Sequence, residues 1–147
     1  MQYYEQPVSP KFMAEDDGTN APRSHQRTIA QLIAGLYPLF RAGAIALEAL
    51  PRTMVGEYNS PTPDVILYDN TNEVTPVIIE ICHLKGEKND LRKVIRLMEE
   101  DDYGILEGFV YNYKTEKWLR YWKGDGGQAI ESSFSEVLQL DLNSFLL

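Results

Sequence analysis

At 147 residues, with 44% apolar residues and a mean hydropathy of -0.33, the chain reads as one domain that buries roughly two-thirds of its unfolded surface. No apolar run approaches the ~18 residues of a membrane span, and Met1 to Pro7 have neither the basic start nor the apolar middle of a signal peptide; a soluble, cytoplasmic protein is expected. A net charge of -8 and a pI near 4.7 weigh against a nucleic-acid partner, because affinity for DNA comes largely from Lys and Arg on phosphates.

Residues 1–22 hold Pro7, Pro10 and Pro22 with an acidic turn at Glu15-Asp16-Asp17-Gly18, and read as an extended arm before a single folded domain over 23–147. Ser24 is placed to cap a helix whose Ile29, Leu32, Ile33, Leu36, Leu39 and Phe40 recur at helical steps until Gly43. Ala44 to Ala49 and Thr53 to Tyr58 read as two strands joined at Pro51, followed by a turn over Asn59 to Pro63. Two short apolar runs come next, Asp64-Val65-Ile66-Leu67 and Val77-Ile78-Ile79-Glu80-Ile81-Cys82, separated by Asn70-Thr71-Asn72; each has the β-branched content of a buried strand. Leu91, Val94, Ile95 and Met98 predict a second helix starting near Asn89 or Asp90 and ending at Glu99 to Gly104, where acidic residues oppose the helix dipole and favour fraying. Ile105 to Tyr113 and Lys117 to Lys123 are aromatic-rich strands of a hairpin, Gly124 to Gly127 is a loop, and the tail from Phe134 alternates before a helical turn at Asn143. This order predicts an α/β (α+β) domain with a central mixed β-sheet flanked by helices. No Gly-rich phosphate loop or Gly-x-Ser-x-Gly elbow is present, which sets aside a P-loop nucleotide cofactor and a serine hydrolase.

The chemistry centres on the two acids. A carboxylate in a buried strand is costly unless something cationic meets it, and two such strands side by side bring Asp64 and Glu80 to one divalent metal. Phosphodiester hydrolysis uses hard oxygen ligands, a metal that activates water, and a cation for the developing charge. Residues two apart share a strand face, so a lysine at position 82 would complete the array; Cys82 stands there instead. Lys85, Lys88, Arg92, Lys93 and Arg96 follow closely, as a basic patch beside the acids or as a solvated helix face. The acids have plainer readings too: Asp64 as a turn cap, Glu80 as the structural partner of Lys93. Cys82 reads as a small buried hydrophobe. Its one thiol excludes an intrachain disulfide, and one Cys with His25 and His83 makes no zinc cluster unaided. Glu107, Tyr103, Phe109, Tyr111 and Tyr113 are assigned to packing, while Trp118 and Trp122 share a strand face that suits stacking or dimer contact.

Pro63-Asp64 followed by an apolar strand ending Ile79-Glu80-Ile81 resembles the PD-(D/E)XK nuclease superfamily. More closely it is similar to the Uma branch, a bacterial family labelled as candidate restriction endonucleases. The likeness includes a helix introduced by a histidine, here Ser24-His25-Gln26-Arg27. It continues with a lysine-bearing helix after Glu80 and a Gly-x-x-Glu segment, Gly104 to Glu107, that runs into an aromatic strand. It reaches the tail, and so covers most of residues 24–147. The branch carries a Ser- and Pro-rich loop after the strand glutamate, which Cys82 to Lys88 lacks, and it moves the catalytic lysine onto the next helix. The resemblance implies a restriction endonuclease-like core and a DNA endonuclease that acts as a homodimer. It also implies Mg2+ or Mn2+ on Asp64 and Glu80, with Lys93 as the transferred lysine. Lys93 lies roughly 150° from the centre of the helix stripe, so Lys85 stays open as its rival. The other class kept open is a nuclease-fold protein without catalysis, acting as a homodimeric binding module through its aromatic strands.

Overall fold

The computed structural model describes residues 22–56, 60–82, 86–101 and 103–147. In chain order the elements are α1 (Arg23–Arg41), β1 (Glu48–Pro51), β2 (Val65–Asp69), β3 (Val74–Cys82), α2 (Glu87–Glu100), β4 (Glu107–Asn112), β5 (Lys117–Trp122), β6 (Ile130–Glu131), β7 (Phe134–Ser135), β8 (Leu140–Asp141) and a closing 3-10 turn (Leu142–Phe145). β1 to β6 form one sheet in sequence order. Every neighbouring pair is antiparallel except β3 and β4, which run parallel because α2 crosses over between them.

The two-residue period of a strand sorts the core into two layers. Val65, Leu67, Val77, Ile79, Ile81, Phe109 and Tyr111 pack with Ile29, Leu32 and Leu36 of α1. Ile66, Ile78, Cys82 and Val110 pack with Val94, Leu97 and Met98 of α2. Burial on both faces explains why β2 and β3 read as continuous apolar runs rather than alternating ones, and the expected mixed sheet flanked by helices is the fold observed. α2 comes close to β4 because residue 108 is glycine: a Cβ there would lie 2.5 Å from Val94 Cγ1 and 2.7 Å from Met98 Sδ.

Several boundaries differ from the sequence reading. Pro22, not Ser24, precedes α1, and the Ser24 carbonyl accepts a hydrogen bond from Thr28 Oγ1 inside the helix. The two strands expected over 44–58 reduce to β1, an edge strand whose last residue, Pro51, pairs with Val65 where no ladder donor is needed. Residues 57–59 lie outside the described residues, as do 1–21, where the arm was expected. α2 starts at Glu87, two residues before Asn89. At its other end the Glu99 carboxylate accepts hydrogen bonds from the Tyr121 hydroxyl and, at 2.8 Å, from Gly124 N–H, contacts that tie down the turn expected to fray. The alternating tail is not one strand: 136–139 form a turn between β7 and β8.

The aromatic face is covered rather than presented. Trp118 is 4% exposed, packs edge-on to Phe109 with centroids 5.9 Å apart, and donates from Nε1 to Asn143 Oδ1 at 3.0 Å. Trp122 is half-buried beneath the Arg120 guanidinium. Glu107 is wholly buried and receives Arg120 Nε at 2.7 Å, Ser135 Oγ at 2.7 Å and Glu136 N–H at 2.8 Å, so it fastens the C-terminal hairpin to the sheet. Glu107→Ala leaves a largely buried guanidinium uncompensated and is expected to cost about 3–5 kcal/mol, read as a lower urea midpoint at an unchanged m-value.

Candidate functional site

The β2–β3 register pairs Val65 with Ile79, so one further step sets Asp64 beside Glu80. Side-chain direction follows from the strands: Glu80 faces α2 with Ile78 and Cys82, while Asp64, at the open end of β2, reaches contacts from both layers. Its Oδ2 accepts Ile81 N–H at 2.8 Å and lies 3.3 Å from His25 Nε2. Its Oδ1 lies 3.4 Å from Arg52 Nη1. His25 comes from the first turn of α1, is 3% exposed, and meets Gln26 Oε1 through Nδ1 at 3.1 Å.

The carboxyl groups of Asp64 and Glu80 are within hydrogen-bonding reach of each other, and two acids so placed do not both ionise. Burial and then the Asp64 charge hold Glu80 well above the usual carboxylate range, against an opposing pull from Lys93. Burial also disfavours the Asp64 anion, but the hydrogen bonds from His25 and Ile81 outweigh it and lower the Asp64 pKa. For His25, burial works against the imidazolium and the contact with Asp64 wins, raising the pKa. The contact with His25 thus favours the Asp64 anion, while burial and that anion favour the neutral form of Glu80.

Glu80 opens onto a cleft of about 280 Å³ lined also by Pro61, Lys93, Val94, Arg96, Leu97 and Asp101. Lys93 reaches it from the solvent side, its side chain 59% exposed and its Nζ 3.7 Å from Asp90 Oδ1; this agrees with its angle on the helix and still places it in the same cleft as Glu80. Lys85 and His83 lie outside the described residues. Cys82 is fully buried, its thiol pushed up to about 12 by burial and by the Asp90 and Glu87 carboxylates, so it offers neither a cation nor a thiolate. Among the described residues no group of three or more His, Cys, Asp and Glu is arranged to hold a metal ion. Magnesium needs no such cluster, since it keeps several waters and is bound through one or two carboxylates. The donor set of Asp64 and Glu80 fits it, and the electrostatic cost of the Glu80 anion marks where a positive charge would be stabilised.

Two site residues carried little signal in the sequence. His25 stood out only through the family likeness, and Arg52 not at all, because it lies in an irregular segment after β1 with φ +43°. Both meet Asp64 through docking of distant segments, which no local periodicity encodes.

No protein-family model matches the chain, and no curated protein matches it in sequence. In three dimensions it is similar to the crystal structure of a candidate nuclease of DUF820 from Anabaena variabilis, at 12% identity and a TM-score of 0.63, covering 86% of this chain and 84% of that one. The type IIG restriction endonuclease BpuSI aligns at 16% identity and a TM-score of 0.48, over 78% of this chain and 14% of its own length. The first likeness, with the sheet topology above, gives the chain a restriction endonuclease-like fold.

Glu80 supplies a test in the metal-free state. Its folded pKa is raised, so the folded state bears no penalty below the unfolded pKa of about 4.5 and loses stability as pH rises through the raised value. Glu80→Gln removes that loss. In EDTA at pH 8 the variant should melt at least about 2–4 °C above the intact chain, the effect of ~1 kcal/mol at this length, and the two should converge near pH 4. An equal or lower melting temperature at pH 8 would count against the protonated acid pair.

Proposed function

We propose that this protein is a metal-dependent endonuclease that hydrolyses DNA phosphodiester bonds, allied to the Uma branch of the PD-(D/E)XK nucleases. The observation that carries the reading is the strand register that sets Asp64 beside Glu80, whose side chain lines a cleft together with Lys93 and Arg96. An acid pair that raises its own electrostatic cost has no evident purpose in a sheet that elsewhere buries Glu107 with a full set of partners.

Asp64 and Glu80 would hold Mg2+ or Mn2+. When bound, the ion would lower the pKa of a water and draw charge from the phosphoryl oxygens. His25 and Ile81 N–H lower the Asp64 pKa and fix its orientation, while Glu80 would hold the ion as its carboxylate. Lys93 offers an ammonium group to the charge that develops on the phosphate, with Lys85 as the rival for that role. Val94 and Leu97 form an apolar wall that limits water on the helix side of the cleft. No residue is assigned as a covalent nucleophile, and Cys82 is too deeply buried to serve as one.

A second reading, a nuclease-fold protein that binds without cleaving and does so as a homodimer, draws support from the buried Cys82 at the strand-lysine position and from the net charge of -8. Its dimer contact would lie away from Trp118, which is inside the fold. Calorimetry with magnesium and manganese, followed by plasmid cleavage, separates the two. The endonuclease reading expects metal binding by the intact chain, its loss in Asp64→Ala and Glu80→Gln, and a drop in cleavage of about 10²–10³-fold in Lys93→Ala. An intact chain that takes up neither ion at millimolar concentration leaves only the binding reading standing.

A further inference from the structure

The Asp64 carboxylate touches a second cation that the metal chemistry does not use. Arg52 follows β1 directly, and its Nη1 lies 3.4 Å from Asp64 Oδ1 with the side chain 53% exposed. The other cation on Asp64, His25, is 3% exposed. Asp64 already has the His25 imidazole and the Ile81 N–H, so an exposed guanidinium at this distance adds little to the stability of the fold. Its backbone is nevertheless held at φ +43°, in the left-handed region that Gly, Asn and Asp occupy at lower cost. The Arg52 N–H donates to the Asp64 carbonyl at 3.0 Å, which fixes this turn, and with it the guanidinium, at the end of β2.

Strand order sets the direction. With β2 between β1 and β3, Arg52 flanks Asp64 on one side and Glu80 flanks it on the other, with Lys93 and Arg96 beyond Glu80 in the cleft. The acid pair thus has Arg52 beside it on the β1 side and Lys93 and Arg96 of α2 over the sheet face that Glu80 presents. A chain of phosphates laid across the strand ends meets Arg52, then the acid pair, then Lys93. A substrate with a single phosphate has nothing to give Arg52 once that phosphate sits at the acid pair.

Resting on the nuclease reading above, we propose that Arg52 is a substrate-contacting residue that binds a backbone phosphate adjacent to the one hydrolysed. The substrate is accordingly a nucleic-acid strand engaged on both sides of the scissile bond, crossing the ends of β1, β2 and β3. A guanidinium suits this role because its planar fork matches two phosphate oxygens.

The test is binding of a fluorescent single-stranded DNA of about 20 nucleotides, long enough to span such a groove, by the intact chain, Arg52→Gly and Arg52→Lys. It is measured by anisotropy in EDTA across a salt series, so that neither cleavage nor metal enters. Arg52→Gly keeps the backbone N–H and relieves the positive φ, so its melting temperature should be no lower than that of the intact chain. Its affinity should fall about five- to tenfold, and the slope of log K against log salt should become shallower by about 0.7, the loss of one phosphate contact on a single strand. Arg52→Lys should keep the slope and most of the affinity. The proposal is overturned if Arg52→Gly binds with intact affinity and slope, or if it loses several degrees of melting temperature while Arg52→Lys binds no better than it does. No DNA binding by the intact chain overturns it as well; magnesium calorimetry then shows whether the nuclease reading falls too, since retained metal binding would spare that reading alone.

Discussion

Two carboxyl groups forced into contact by strand register govern the site. The pairing of Val65 with Ile79 is set by apolar residues that must fill both faces of the sheet, and a one-residue slip would reverse every side chain of β2. The same register places Asp64 beside Glu80, so the hydrophobic core specifies the acid pair and no separate local device is required. The remaining features answer the resulting charge problem. The Glu80 pKa is raised, Asp64 recruits His25, and the turn after β1 brings Arg52 alongside.

A second buried carboxylate shows what a purely structural solution looks like in this sheet. Glu107 sits at the start of β4 on the α1 side, and Arg120 from the neighbouring strand, a hydroxyl and backbone N–H groups satisfy its oxygens. The C-terminal hairpin folds over it and leaves it no exposure. Glu80 has the opposite arrangement: another acid as its neighbour, an open cleft in front of it, and a lysine held mainly in solvent. One sheet thus closes one carboxylate off and leaves the other poised for a ligand, a contrast expected where stability is yielded for function.

Legibility in the sequence followed from how local each constraint is. β2, β3 and α2 were readable because burial on two faces, or on one helical stripe, writes itself into consecutive residues. Asp64 and Glu80 were readable for the same reason, as polar residues inside apolar runs. The short elements were not. β1 is four residues long and ends in proline, and the tail's alternation belongs to a turn between two-residue strands. Burial of Trp118 depends on α1 and the closing 3-10 turn covering that face, and α1 lies some eighty residues earlier in the chain. The same non-locality hid Arg52 and left His25 to the family likeness, since positions 25, 52, 64 and 80 meet only when α1 docks and β1 pairs.

The acid pair also bears on how an acidic protein could accept a polyanion. Burial and the Asp64 charge disfavour the Glu80 anion, and the His25 contact offsets Asp64. These interactions work against a build-up of negative charge at the acid pair within a chain of net charge -8, and Arg52, Lys93 and Arg96 lie close by. Fields act over about 8–10 Å at physiological salt, so an approaching strand senses this local balance more than the distant acids. On the proposed reading, a divalent ion on the acid pair would favour phosphate binding, and bound phosphate would favour the ion in return; the raised Glu80 pKa would make both depend on pH.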